Sequence, residues 1–477
     1  MLYIGNQREC FFDDYFLDET KTGAEYRLHN PIPQEVVLTL GEMWEGDGCD
    51  YYNFFYDKDR KILRLYYLAF KMLGAHDGIR VCYAESRDGL KWEKPELGLF
   101  DYKGTKHNNI ILDPTVHKNI DNFMVFYDDN PACPPDKRYK AIASYNDNGR
   151  PALYCFWSED GIRFSMENTC EITDKGAFDS LNVAFWDENA SKYRCYFRSF
   201  HQPDLSDAPA FENEAIRDIR YIESPDFVNW SEPVLLDFKG AEDIPLYTNN
   251  VIPYYRAPHI YIGSPSRYIE RKSWTPTYDR LCGAEWRKER MNHHPRYGLT
   301  LSDCVFMCSR DGKSFKRYDE AFIRPGPERP LNWVYGDCYP ARGLVETPSL
   351  LEGADPEISI YNYENHWSGK PSALRRYTIR RDGFVSLHSG AKETISTSKR
   401  FVFEGAELEA NLSTSARGYI RFVLRNDDGE KLESYEIFGD STSRIIDFDG
   451  DISKFSGKPI YMDIIMSDAD LYSIKFN

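Results

Sequence analysis

Several things are scarce in this 477-residue chain. No stretch of about 18 apolar residues occurs, so no membrane-spanning helix is expected. The opening MLYIGNQREC carries charge where a secretory signal needs an apolar run, which points to a cytoplasmic protein. Cysteine is present as 11 residues, an odd number with no CxxC pair. That pattern excludes a zinc knuckle and a disulfide framework, and the thiols read as reduced core residues. Cys304 and Cys308 are four apart in VFMCSRDG, but along a strand they share one face, so no metal and no cofactor is expected. Positive charge is also short: 59 Lys and Arg against 76 Asp and Glu give a net charge of −17. Nucleic acid and anionic membranes are therefore poor partners.

Aromatic residues are abundant, 15% of the chain with 34 Tyr and 29 Phe, which favours strands and surfaces on which sugars stack. A short pattern recurs. It reads SRDGLKW at Ser86–Trp92, SEDGIRF at Ser158–Phe164, SPDFVNW at Ser224–Trp230, SRDGKSF at Ser309–Phe315 and, decayed, RRDG from Arg380. Successive copies start 72, 66, 85 and 71 residues apart. Asp-Gly before an aromatic, flanked by alternating residues, is a hairpin signal. Hairpins at this period, with short strands between them, describe sheets arranged radially as blades. Five copies imply an all-β, five-bladed β-propeller over residues 1–389. The strand-like segment Glu9–Leu17 would pair into the last blade, leaving Asp13 and Asp14 as edge residues. From 390 to 477 the strands shorten and alternate, the pattern of a small β-sandwich.

The chain is organised around Trp44–Phe70. An acidic front (Glu45, Asp47, Asp50) leads into strand Tyr51–Tyr56, a charged turn and strand Leu63–Phe70. An acid just before the first strand of a hairpin sits on a sheet rim, where it can face a ligand while the sheet holds it still. Asp50 is the candidate central carboxylate. Trp44, Tyr247, Trp333 and Trp367 lie near blade fronts and could form stacking walls; Arg267 and Arg342 could contact hydroxyls or carboxylates. From Arg267 to Arg296 stand eight Lys and Arg but four Asp and Glu, a local +4. This lengthens the interval before the fourth hairpin and reads as an insertion over the funnel mouth, able to bind phosphate or an acidic sugar or to reach a neighbouring subunit.

The architecture resembles the five-bladed glycoside hydrolases, most of all family 32 (invertases and fructanases) with its appended β-sandwich. In that family a blade-one Asp precedes a Y-H-L-F-Y strand; here Asp50 stands at a matching distance from Leu65-Tyr66-Tyr67. The family's blade-two Asp maps by the resemblance to Asp129, with Asp128 the alternative, and its blade-three Glu, the general acid, to Asp179. Glu242 or Asp243 in blade four, or Glu364 in blade five, are the reserves for the acid. The resemblance implies a glycosidase acting on short oligosaccharides that contain a furanoside, with Asp50 as nucleophile or base. It leaves room for a homo-oligomer. Two rivals remain: a mannoside phosphorylase using the basic 267–296 segment for phosphate, and a non-catalytic sugar-binding propeller.

Overall fold

The computed structural model describes residues 1–72, 77–147, 149–167, 169–210, 212 and 214–477. Five antiparallel sheets form the propeller. Their inner strands in blades one to four are Asp50–Asp57, Ile120–Tyr127, Val183–Asp187 and Ile252–Tyr254. Blade five pairs Val345–Thr347, Glu357–Glu364, Ser372–Ile379 and Ile32–Leu40. The ring is thus closed by an N-terminal strand, but not by the expected one. Arg8–Cys10 pairs instead with Tyr461–Phe476, and Leu17–Thr22 with Thr394–Ser398. The reason is burial: Phe11, Phe16 and Leu17 fill the C-terminal core beside Phe401 and Leu408, whereas Ile32–Leu40 offers a nine-residue strand to the open edge of blade five. Asp13 is held by Arg310 at 3.0 Å.

The C-terminal strands and those of residues 8–28 form one curled nine-stranded sheet. Two long strands, Leu408–Arg425 and Tyr461–Phe476, pair along it and bend around a core of Phe403, Phe422, Met462 and Ile464. The decayed hairpin copy joins this sheet to the propeller. Its buried Asp382 accepts from the Tyr254 hydroxyl at 2.6 Å and from Arg256 at 2.9 Å, and lies 3.5 Å from Arg8.

The repeat has a mechanical meaning. In each of the first four copies the serine hydroxyl oxygen accepts the amide two or three residues on, and the aspartate caps the next two amides. The turn so made is grasped by the preceding blade. Arg64 donates to Asp160 O at 2.7 Å and Tyr66 to Gly161 O at 3.0 Å; Arg194 and Tyr196 hold Asp311 O and Gly312 O, each at 2.7 Å. Glycine is needed there twice over: φ is 72° and 70° at Gly161 and Gly312, and a Cβ would collide with the arginine. The third copy has Phe227 at the glycine position with φ 69°. It fits because the residue at the arginine's place is the slimmer Lys140, whose ammonium lies 5.4 Å over the Phe227 ring.

The same cations clamp the rear of the inner strands. Arg64 pairs with buried Asp57 at 2.7 Å, Arg194 with buried Asp187 at 2.6 Å, and Lys140 with buried Asp128. A tyrosine of the next blade completes each clamp: Tyr139 to Asp57 at 2.7 Å, Tyr193 to Asp128 at 2.8 Å, Tyr261 to Asp187 at 2.6 Å. One cysteine expectation fails. Cys155 and Cys170 face each other across blade two's outer strands and form a disulfide, so this pair is not reduced.

Removing one partner of a buried ion pair strands the other charge, at a cost of about 3–5 kcal/mol. Arg194→Met is expected to lower stability by about that amount in denaturant titration, and adding Asp187→Leu to recover most of it. A shift confined to the single variant's noise level would show that the clamp is not what joins blades three and four.

Candidate active site

Blades one, two and five enter the channel with the same backbone event. Tyr51, Asn122 and Cys338 take left-handed φ values of 50°, 52° and 56°, each directly after an aspartate: Asp50, Asp121 and Asp337. A non-glycine residue held this way costs roughly 1–3 kcal/mol and survives where its surroundings over-determine it. At Asn122 the side chain donates to Phe178 O of blade three at 3.0 Å. The kink lies at the front end of the strand for Asp50 and Asp121, and in the turn that leads into blade five for Asp337.

These fronts converge electrostatically. Asp50 is buried; its Oδ2 accepts from the Trp367 indole at 3.2 Å, and its Oδ1 lies 2.8 Å from His366 Nδ1. Burial holds the imidazole of His366 below its ordinary pKa, outweighing the pull of Asp50. Asp121 is half-buried. Burial first, then the charge of Asp50, pushes its carboxyl up to about 6, against the Asn122 amide that it accepts. Burial raises Asp337 to about 7, against its contacts to the Val334 and Trp333 amides and to Arg329 and Arg290. Two aspartates that hold protons near neutrality beside a third that accepts the Trp367 indole N–H are the separation of acid and base roles that hydrolytic sites use.

The basic segment forms the roof. It folds into α1 (Pro276–Arg280), α2 (Ala284–Met291) and α3 (Arg296–Leu299), and α2 sends Arg290 and Arg287 inward, both buried. Arg287 donates to Trp333 O at 2.5 Å. Arg290 stacks over Trp286 at 4.6 Å and lies 5.7 Å from the Trp367 ring. Neither of its terminal nitrogens has a hydrogen-bond partner among the described residues. Burial draws its pKa down to about 10, partly opposed by Tyr335, Asp337 and Asp50, so it stays a cation at neutral pH. Trp367 stacks on His366 (4.4 Å) and packs against Tyr335 and Tyr297. Asp47 holds that loop by accepting the Gly369 amide at 3.3 Å, and its carbonyl accepts the Trp367 amide at 3.2 Å. A cavity of about 620 Å³ opens between blade three and the insertion, lined by Phe200, Arg217, Glu270, His294 and Arg296 among others and by none of the clustered aspartates.

Of the residues expected from sequence, the structure brings Asp50, Tyr247, Asp179 and Trp367 to this front. Tyr247 stacks between Tyr268 and Tyr339, with its hydroxyl 3.2 Å from that of Tyr51. Asp179 is exposed at the rim, ion-paired with buried Arg198, and its carbonyl accepts from Tyr247 at 3.2 Å.

The others lie elsewhere. Asp128 and Asp129 follow the far end of the blade-two strand, seven and eight residues from its front. Asp128 is a rear clamp, and Asp129 pairs with Lys58 on the rear rim at 2.6 Å. Arg342 also lines the rear mouth. Trp44 is core, donating to Asn109 at 2.8 Å; Glu45 is locked by Tyr67 at 2.7 Å and Lys94 at 2.8 Å. Arg267 is spent on Asp303, at 2.8 and 2.6 Å. Glu364 is held by Arg375 and Arg329, which together outweigh burial and keep its carboxyl below the ordinary value. Trp333 donates to Gly326 O at 2.8 Å and serves the roof through its carbonyl. Glu242 is exposed on a loop where its carbonyl accepts from Arg317; its neighbour Asp243 contacts His201 at 2.8 Å.

Asp121 was legible all the same. Aligned on their rear clamps, the inner strands read DYYNFFYD (50–57), DNFMVFYD (121–128) and SLNVAFWD (180–187). Each front residue stands seven before its clamp. Blade three places Ser180 there, buried and donating to Tyr247 O at 2.5 Å, which leaves Asp179 one step outside the ring.

No family model and no curated protein matches the chain. Solved structures similar to it include an N-acetylgalactosamine deacetylase from F. plautii, 10% identical over 75% of this chain and 94% of that one, with a TM-score of 0.45. A Bombyx mori family 32 β-fructofuranosidase is 11% identical over 94% of each chain, with a TM-score of 0.40. A structure from the family 130 mannoside phosphorylases and hydrolases is 12% identical over 76% and 96%, with a TM-score of 0.42. Likenesses of this degree carry no argument about chemistry, which rests on the side chains.

A carboxyl whose folded pKa exceeds its unfolded one stabilises relatively below the unfolded value and costs stability as pH rises through the folded value. For Asp121 that window runs from about 4 to about 6. Asp121→Asn is therefore expected to raise the melting temperature relative to wild type at pH 8 and to lose that advantage at pH 4. In Asp50→Asn, the Asp121 carboxyl should titrate lower by ¹³C NMR yet stay above its ordinary value, since burial is the larger cause.

Proposed function

We propose that this chain is a glycoside hydrolase acting on short oligosaccharides, with Asp50 as base or nucleophile and Asp121 as general acid. The observation that carries the reading is the pairing of Asp50 with Asp121 on the fronts of adjacent inner strands. Burial and the charge of Asp50 keep Asp121 able to hold a proton up to about pH 6. Glycoside cleavage needs a protonated carboxyl at the leaving oxygen and a carboxylate opposite it. Asp50 is oriented by Trp367 and faced by a neutral His366, so it is positioned without being neutralised by a cation at ion-pair distance. Tyr247, Tyr51 and Trp367 give the aromatic surface on which a sugar ring stacks, and Asp179 with Arg198 gives hydroxyl-binding groups at the rim. A furanoside, fructosyl or arabinosyl, is the substrate class we favour, on the ground of the sequence resemblance of blade one.

Phosphorolysis is the second reading, and Arg290 is the observation that favours it. A buried guanidinium with unpartnered donors beside the reacting carboxylates is a ready oxyanion site.

The test is turnover of fructosides, arabinosides and mannosides with and without phosphate. Phosphate-independent turnover is expected, falling as pH rises above about 6 as Asp121 loses its proton. Asp50→Asn should abolish it. Asp121→Asn should cost about 10²–10⁴-fold on natural linkages and far less on aryl glycosides whose leaving groups need no protonation. Equal losses on both substrate types would remove Asp121 from the acid role. Turnover only with phosphate, lost in Arg290→Met, would establish phosphorolysis, and no turnover at all would sink both readings.

A further inference from the structure

The far ends of the inner strands enclose a second cavity, about 380 Å³, at the opposite mouth of the channel from Asp50. Its walls are aromatic: Tyr56, Tyr127, Trp186 and Tyr255 among others. Tyr56 and Tyr255 are 52% and 46% exposed, a large apolar display for a surface with no partner. Two of the rings are fixed from behind, Tyr127 by Asp59 at 3.0 Å and Tyr255 by Glu346 at 2.7 Å. Preset aromatic faces with few polar groups are the lining of a small-ligand site.

The polar group is Arg342. It is only 8% exposed, sits where residues 340–343 bridge blades five and one, and lines this cavity. No carboxylate lies at ion-pair distance among the described residues, and its Nε has no hydrogen-bond partner. Burial alone draws its pKa down to about 10, with no neighbouring acid to oppose it; the group remains a cation. Trp186 Nε1, in the same wall, is likewise without an acceptor. Buried cations without a counter-charge are expensive and are normally kept for a partner. Of the other charges on the lining, Lys58 and Asp129 are paired with each other. Arg342 is thus the buried cation of the lining, set inside aromatic walls with no counter-charge at ion-pair distance among the described residues, while the carboxylate of Glu188 stands exposed to solvent on the same lining.

We propose that the rear mouth binds a sugar carrying a single carboxylate, a hexuronate, with the carboxylate on Arg342 and the ring against Trp186 and its neighbours. One cation without further basic support matches a monoanion better than a phosphate dianion. The site is separate from the hydrolytic cluster and does not depend on its assignment.

Calorimetric titration of the full chain with galacturonate, glucuronate, galactose, glucose and inorganic phosphate tests this. A uronate is expected to bind at least tenfold more tightly than its neutral hexose, with phosphate failing to compete. Arg342→Met and Trp186→Ala should each weaken uronate binding at least tenfold, Arg342→Lys less, and Asp50→Asn not at all. Melting curves identify any variant that misfolds, and Trp186→Ala then carries the test. Equal binding of neutral hexoses, competition by phosphate, or uronate binding indifferent to both Arg342→Met and Trp186→Ala would each overturn the proposal.

Discussion

The structure depends on a buried carboxylate at the rear of each of the first three inner strands. Asp57, Asp128 and Asp187 are fully buried, and a buried carboxylate is costly unless it is paired and hydrogen-bonded. Each is rescued by a cation from the next strand out and a hydroxyl from the next blade. The same cation reaches on, in blades one and three, to the hairpin turn of the following blade. Intra-blade geometry and blade-to-blade spacing are therefore set by one group. A propeller has no central hydrophobic core to do this, only wedges of aromatics between neighbouring sheets.

Because the clamp fixes one end of a strand, seven residues of extended chain fix the other. At roughly 3.3 Å per residue the front lies about 23 Å away, far enough that front and rear are chemically independent. Asp50 and Asp121 occupy equivalent places for this reason, and so do Asp57 and Asp128. Asp129, expected at the front of blade two, lies with Asp128 after the far end of that strand, whereas Asp121 stands at its front end.

Much of the architecture could be read directly. The serine–aspartate turn recurs because each copy makes the same hydrogen bonds, so its period counted the blades. Even the exception in the third copy is physical, Phe227 replacing glycine where Lys140 replaces arginine. Long-range facts were less accessible. Nothing local distinguishes Ile32–Leu40 from Arg8–Cys10 as the strand that closes the ring; only the competing claim of the C-terminal core on Phe11 and Phe16 decides it. Glu45, Arg267 and Glu364 have the right residue types and the right neighbourhood, but each meets an opposite charge or a donor from a strand distant in sequence. Cys155 and Cys170 become partners only through the register of two outer strands.

The insertion deserves its charge. A local +4 in a chain of −17 would be wasted as a surface loop, since solvent screens exposed charges beyond about 8–10 Å. Folded over the front, it packs Arg290 beside Trp367 and Asp337, whose raised value has burial as its first cause. Arg290 also limits how far Asp337 rises. At Asp337 cover and cation act in opposite directions. An aromatic or aliphatic roof would exclude water as well, but it would leave Asp50, Asp121 and Asp337 to repel one another with no counter-charge. An exposed cation would be screened by solvent and would leave the front hydrated. A buried arginine on a short helix is a means of doing both, which gives a role to a basic segment standing over these aspartates.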